Sequence, residues 1–198
     1  MNYELRIKNC ALIVGCIALL ASCTNTKGYV VHGTAEGTVA GDTVYICQMQ
    51  DFFSIVPTDT TTVKDDGTFE FRGEREGADF RLIVPIHKGL EGKTGMAEFI
   101  LENADIEVNI FSRDSGREPE VKTDGRENAI YKRYLALENE WEAKGQPSWN
   151  IVREKKGTPE EIARAQAELD SIMLLADNAR KQFVIDNLPS GISDMLLP

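Results

Sequence analysis

Very little in this 198-residue chain can perform acid–base, metal or thiol chemistry. There are two histidines, His32 and His87, in separate segments and without the spacing of metal ligands. No nucleophile-elbow motif or phosphate-binding glycine loop accompanies them, so both read as structural or exposed side chains. Four cysteines are present, but Cys10, Cys16 and Cys23 lie near the start and only Cys47 falls in the body. With no C-x-x-C pair, a lone thiol forms no internal disulfide and completes no thiol-exchange cycle. Cys47 ends the alternating run Thr43-Val44-Tyr45-Ile46-Cys47 and reads as a small apolar core residue. Positive charge is also short: 22 Lys and Arg stand against 32 Asp and Glu, a net −10. Residues 1–22 carry +1 of that (Glu4, Arg6 and Lys8), so the remainder is at −11. Such acidity excludes nucleic acid and a basic docking patch for anionic lipid.

Nor is there an apolar run long enough to span a bilayer. Cys10 to Ala21 is nearly all apolar, but roughly 20 residues are needed. Behind the basic flank Arg6 and Lys8, that run fits the core of an export signal. It ends in Leu20-Ala21-Ser22-Cys23. Leu20 is too large for ordinary signal cleavage, whereas a large aliphatic residue three places before a cysteine resembles the lipoprotein signal pattern. Cleavage between Ser22 and Cys23, with acylation of Cys23 by palmitate-like chains, is therefore expected. Two or more chains anchor stably where one does not. Thr24, in place of Asp, favours the outer membrane, facing the periplasm.

The remainder divides into a tether at 23–28, a β region at 29–124, a helical hairpin at 125–188 and a tail at 189–198. Strands are predicted at Tyr29–Thr34, Thr43–Met49, Ile55–Val63, Thr68–Arg72, Phe80–Ile86, Met96–Leu101, Ile106–Phe111 and Glu120–Thr123. Pro57 marks an edge strand or a bulge. Asp65-Asp66-Gly67 predicts a hairpin between its neighbours, with Phe69 and Phe71 facing the core. Seven or eight short strands imply an antiparallel β-sandwich or partly open barrel. The period then changes. Ile130, Tyr134, Leu137 and Trp141 form one helical stripe between Arg126 and Lys144. Thr158-Pro159-Glu160-Glu161 is a capping box opening a second helix. Its stripe is Ile162, Ala165, Leu169, Ile172, Ala176, Ala179 and Phe183. The fold class is thus mainly β followed by a helical hairpin, α+β as a whole. Trp149 falls in the expected connection 145–157, packing across the hairpin or serving as a partner contact. Ser190 to Asp194 reads as a fresh helix start, consistent with a further domain following or with a short docked tail.

Several short patterns occur in order: Tyr29-Val30-Val31-His32-Gly33, Asp59-Thr60-x-x-Val63, Asp66-Gly67-Thr68-Phe69-Glu70-Phe71-Arg72-Gly73, Phe99-Ile100-Leu101-Glu102-Asn103-Ala104-Asp105-Ile106 and Gly125-x-x-Asn128-x-x-Tyr131. Together, over roughly residues 28–187, they resemble the domain of unknown function that precedes thioredoxin-like (AhpC/TSA or TlpA-type) domains in periplasmic lipoproteins. The resemblance implies an accessory module beside a thiol–disulfide enzyme. The catalytic cysteines of such enzymes have no matching positions here, so no catalytic residue, metal or cofactor is expected. The expected role is a non-catalytic, lipid-anchored accessory module. Its partners would be the membrane, through Cys23, a thioredoxin-like protein, and a second copy through the helices. The alternatives are a free-standing peptide- or glycan-binding lipoprotein and a cryptic hydrolase. The latter would need His32 or His87 beside a hydroxyl and a carboxylate. Glu102, Asp105 and Glu107 are oxygen donors without a calcium-loop pattern and are expected to form a solvated turn.

Overall fold

The computed structural model describes residues 28–50, 54–87 and 94–196. The expected signal segment, Ser22 and Cys23 lie outside the described residues, as does the tether before residue 28. Eight strands form two four-stranded sheets. They are β1 (Tyr29–Ala35), β2 (Thr43–Met49), β3 (Ile55–Thr62), β4 (Thr68–Gly73), β5 (Asp79–Ile86), β6 (Ala97–Leu101), β7 (Asp105–Ile110) and β8 (Glu120–Thr123). One sheet has the order β4-β1-β7-β8 and the other β3-β2-β5-β6. The fold is a two-sheet sandwich and not a barrel. Three helices follow: α1 (Arg126–Glu154), α2 (Pro159–Asp186) and the short α3 (Ser193–Leu196). Among the described residues, no helix is long and apolar enough to cross a membrane.

Period-two alternation builds the sandwich. In β4, Phe69 and Phe71 turn inward and meet edge to face at 6.1 Å, while Glu70 and Arg72 turn out. They join Val31, Val44, Ile46, Ile83, Phe99, Ile106 and Val108 in one core. Cys47 lies beside this layer, 2% exposed. Pro57 sits in edge strand β3, opposite Cys47 beside a register shift at Ile46 and Cys47, the edge or bulge setting in which proline is found in sheets.

Three expectations need correction. The Asp65-Asp66-Gly67 turn does not close a hairpin: β3 and β4 belong to different sheets, and the turn carries the chain from one layer to the other. Lys64 N–H still donates to the Thr68 carbonyl across it, so the local chemistry is that of a tight turn. The sandwich is not wholly antiparallel, since β1 and β7 run parallel. Gly33 makes their contact feasible, because a Cβ there would stand 1.7 Å from the Val108 carbonyl oxygen.

The third correction concerns the hairpin. α1 does not stop near Lys144; it runs through Pro147 to Glu154, and the connection shrinks to Lys155–Thr158. Proline removes one backbone donor and usually breaks a helix. Here packing outweighs that cost. Gly145, buried in α1, faces α2, where an added Cβ would make ordinary van der Waals contact with Leu169 at 3.5 Å and Ile172 at 3.8 Å. Ser148, also buried, donates to Glu168 of α2 at 2.9 Å. The capping box at Thr158 and Glu161 forms as expected, with Pro159 in the first turn. Ile192 and Leu196 of the tail dock with Ile100, Ile130 and Val184.

Candidate functional site

Two arrangements stand out: the joint between sandwich and hairpin, and a groove along the hairpin.

The joint is a network of polar side chains with little solvent exposure. Glu102, just past the end of β6, points into the first turn of α1. Its carboxylate accepts from the backbone N–H groups of Glu127 at 3.0 Å and Asn128 at 2.8 Å. A helix begins with unpaired N–H groups and partial positive charge, and a carboxylate answers both. Gly125, the N-cap residue, offers no cap of its own and leaves the room: a Cβ there would lie 2.2 Å from Glu102 Oε1. Asn128 holds the free edge of β6, accepting from Ile100 N–H at 3.0 Å and donating to its carbonyl at 2.6 Å. It also donates to Glu102 at 2.8 Å. Tyr131 packs edge to face on Phe80 at 6.0 Å and donates to Glu98. Burial first, and then the Glu98 charge, push its hydroxyl up to about 12. Glu127 points the other way and accepts from the Ser190 hydroxyl and, at 3.1 Å, from Gly191 N–H. The Gly125-x-x-Asn128-x-x-Tyr131 motif is therefore a docking device for α1. The solvated turn expected at Glu102 is instead a buried helix cap. No spacing rule reveals this, because the cap residue and its helix are joined only in three dimensions.

Asp105 and Glu107 do not share a site with Glu102. Asp105 meets His32 Nε2 at 2.8 Å, and Glu107 accepts from Asn109 and pairs with Lys122. His87 Nδ1 lies 2.5 Å from Asp42, whose carboxyl is held below its usual range by Val39 N–H and then by His87. Each histidine thus has a carboxylate partner. Among the described residues neither ring is hydrogen-bonded by a serine or threonine hydroxyl, and no three His, Cys, Asp or Glu side chains converge as metal ligands. Burial pushes the Cys47 thiol up, away from the reactive thiolate.

The groove, about 510 Å³, runs between α1 and α2. Trp141 and Trp149 border it from α1, and Leu169, Ile172, Met173 and Ala176 from α2. Gly145 lies between the tryptophans and adds no side chain. Trp149, expected in a loop, is a helical residue with 41% of its surface exposed. Lys144 stacks over Trp141 at 4.0 Å and Arg153 over Trp149 at 4.1 Å, which steadies both rings. The Trp141 Nε1 donor is buried and has no acceptor among the described residues. One end is closed by Arg180, bidentate to Glu138 at 2.7 and 2.8 Å and paired with Asp177. That guanidinium holds the Glu138 carboxyl below its usual range. The arrangement offers aromatic faces, an apolar floor and a few polar groups, the make-up of a binding surface.

No curated protein matches the chain. The model of a family described as a domain of unknown function (DUF4369) matches residues 29–134, which takes in the sandwich and the first turns of α1 with Asn128 and Tyr131. That match spans more than half of the sequence, and the chain belongs to this family.

Proposed function

We propose that this protein is a non-catalytic accessory module of a thioredoxin-like thiol–disulfide system, held at the outer membrane by lipid on Cys23 and facing the periplasm. The observation that carries the reading is the tryptophan-bordered groove on the hairpin, a surface suited to holding a partner. The sealed state of Cys47 supports it: a thiol raised by burial and 2% exposed leaves disulfide exchange to that partner. The resemblance in motif order supplies the identity of the partner as a thioredoxin-like domain carrying its own cysteine pair.

Titrating the full chain with a thioredoxin-like domain encoded beside it should shift tryptophan emission, and Trp149→Ala should weaken binding about tenfold. Unchanged emission up to ~100 µM partner, a range reaching weak complexes, would count against the reading. Intact-mass measurement should place acyl chains on Cys23; an unmodified N-terminus would remove the anchor. The same groove also favours a second reading, a free-standing lipoprotein that binds peptide or glycan. Saturable quenching by an oligosaccharide or peptide, with none by the redox domain, would select it.

A further inference from the structure

Helix α2 is apolar on two opposite sides. One stripe, including Ala165, Leu169, Ile172 and Ala176, faces α1 and is wholly or partly buried. The opposite side carries a second row at Ala163, Ala167, Leu174 and Ile185, and exposed Leu188 follows two residues past the helix end. All five are exposed, with Leu174 at 64%, Ile185 at 60% and Leu188 at 57%. Asp170 and Lys181 lie in the same row, so its members recur every three, four or seven residues, as in a helix-pairing seam.

The row is uneven along its length. Its first half is small and acidic (Ala163, Ala167, Asp170). Its second half is large and basic (Lys181, Ile185, Leu188). Turning a second copy antiparallel, about a two-fold axis between Leu175 and Ala176, sets Ala163 against Leu188, Ala167 against Ile185 and Asp170 against Lys181. The two Leu174 side chains then flank the axis. Small meets large and acid meets base, each twice, as an isologous interface requires. Gln166, one turn back, bonds Asp170, and Lys181 has no ion pair among the described residues.

The distribution of charge agrees. Residues 29–125 contain 9 Lys and Arg against 19 Asp and Glu, whereas residues 126–188 contain 10 against 11. Sandwiches therefore repel one another and hairpins do not. The C-terminal end of α2 sits at the sandwich, through Val184 and Ile100. Antiparallel pairing consequently sends the two acidic sandwiches to opposite ends of the helical layer.

We infer that the outer face of α2 is a self-association surface, on which a second copy of this chain packs antiparallel across a two-fold axis near Leu175. Sedimentation equilibrium of the full chain in detergent should give a two-protomer mass. Leu174→Asp should weaken association at least about tenfold while leaving the thermal midpoint unchanged at concentrations where both proteins are monomeric, because the side chain is exposed in the single chain. Asp170→Lys and Lys181→Asp should each weaken it about tenfold, since each sets like charges together at both symmetric contacts. The double swap Asp170→Lys with Lys181→Asp should restore it. A monomer up to ~100 µM, well above the constants of weak but specific pairs, would overturn the proposal. So would a dimer indifferent to Leu174→Asp, or a double swap that fails to restore pairing.

Discussion

The sandwich and the hairpin are built on opposite terms. The sandwich buries its large side chains between two sheets and turns a strongly acidic surface to solvent. The hairpin is nearly neutral, leaves Leu135, Trp149, Met173, Leu174, Leu175 and Ile185 exposed, and has large buried side chains mainly at its root. The sandwich has a core of its own, whereas long helices draw most of their stability from what they pack against. On the proposed reading, the sandwich is the frame and the hairpin is the part offered to a partner.

That contrast can be broken most severely inside the frame. Gly33→Ala drives a methyl group into the Val108 carbonyl and should cost on the order of 3 kcal/mol or more, removing both regions in one cooperative loss by circular dichroism. Next comes the joint. Glu102→Ala strips two backbone N–H groups of α1 and the Asn128 amide of their acceptor, at about 2–3 kcal/mol. Hydrogen exchange should then show α1 opening before the sheets; simultaneous opening would mean the two regions form one unit. Pro147→Ala acts in the other direction. It restores a helical donor, and the hairpin should gain about 1 kcal/mol in urea unfolding, with the sandwich unchanged.

Alkaline pH provides the finest distinction. The Tyr131 hydroxyl is raised to about 12, so the folded state holds its proton where the unfolded chain has released it. That stability is fully present below about pH 10 and is lost as pH rises towards 12. Tyr131→Phe should flatten this alkaline decline while costing under ~1 kcal/mol at neutral pH. An unchanged decline would mean that another group at the joint is responsible.

Local signals carried most of the fold. Glu120–Thr123 and Thr43–Met49 were legible as strands, Thr158 from capping chemistry, and the Phe69 position from its place in an alternating run, whereas buried Cys47 follows buried Ile46 at a register shift and breaks the alternation. Features set by distant parts of the chain were not. An Asp-Asp-Gly turn looks the same whether it joins strands of one sheet or carries the chain between two, and only pairing partners far along the sequence decide. The parallel match of β1 with β7 is likewise non-local, although Gly33 hints at a close approach. Pro147 fell within the expected connection 145–157, and its place inside α1 accompanies packing on α2, such as buried Ser148 bonding Glu168, that no local pattern reveals. The candidate site was visible only as a tryptophan. Its groove emerged when the expected loop became nearly three more turns of helix.

The Glu102 cap has a mechanical consequence. α1 is 29 residues long, about 43 Å, and the cap clamps it at the end nearest the sheets. A long rod gripped at its base magnifies tilt, so one degree of rotation there sweeps the far tip through about 0.75 Å. The Glu102 carboxylate, with Asn128 and Tyr131 beside it, therefore helps set how steadily the distant end of the rod is aimed, and small disturbances beside the sheet would be felt as displacements at its far tip.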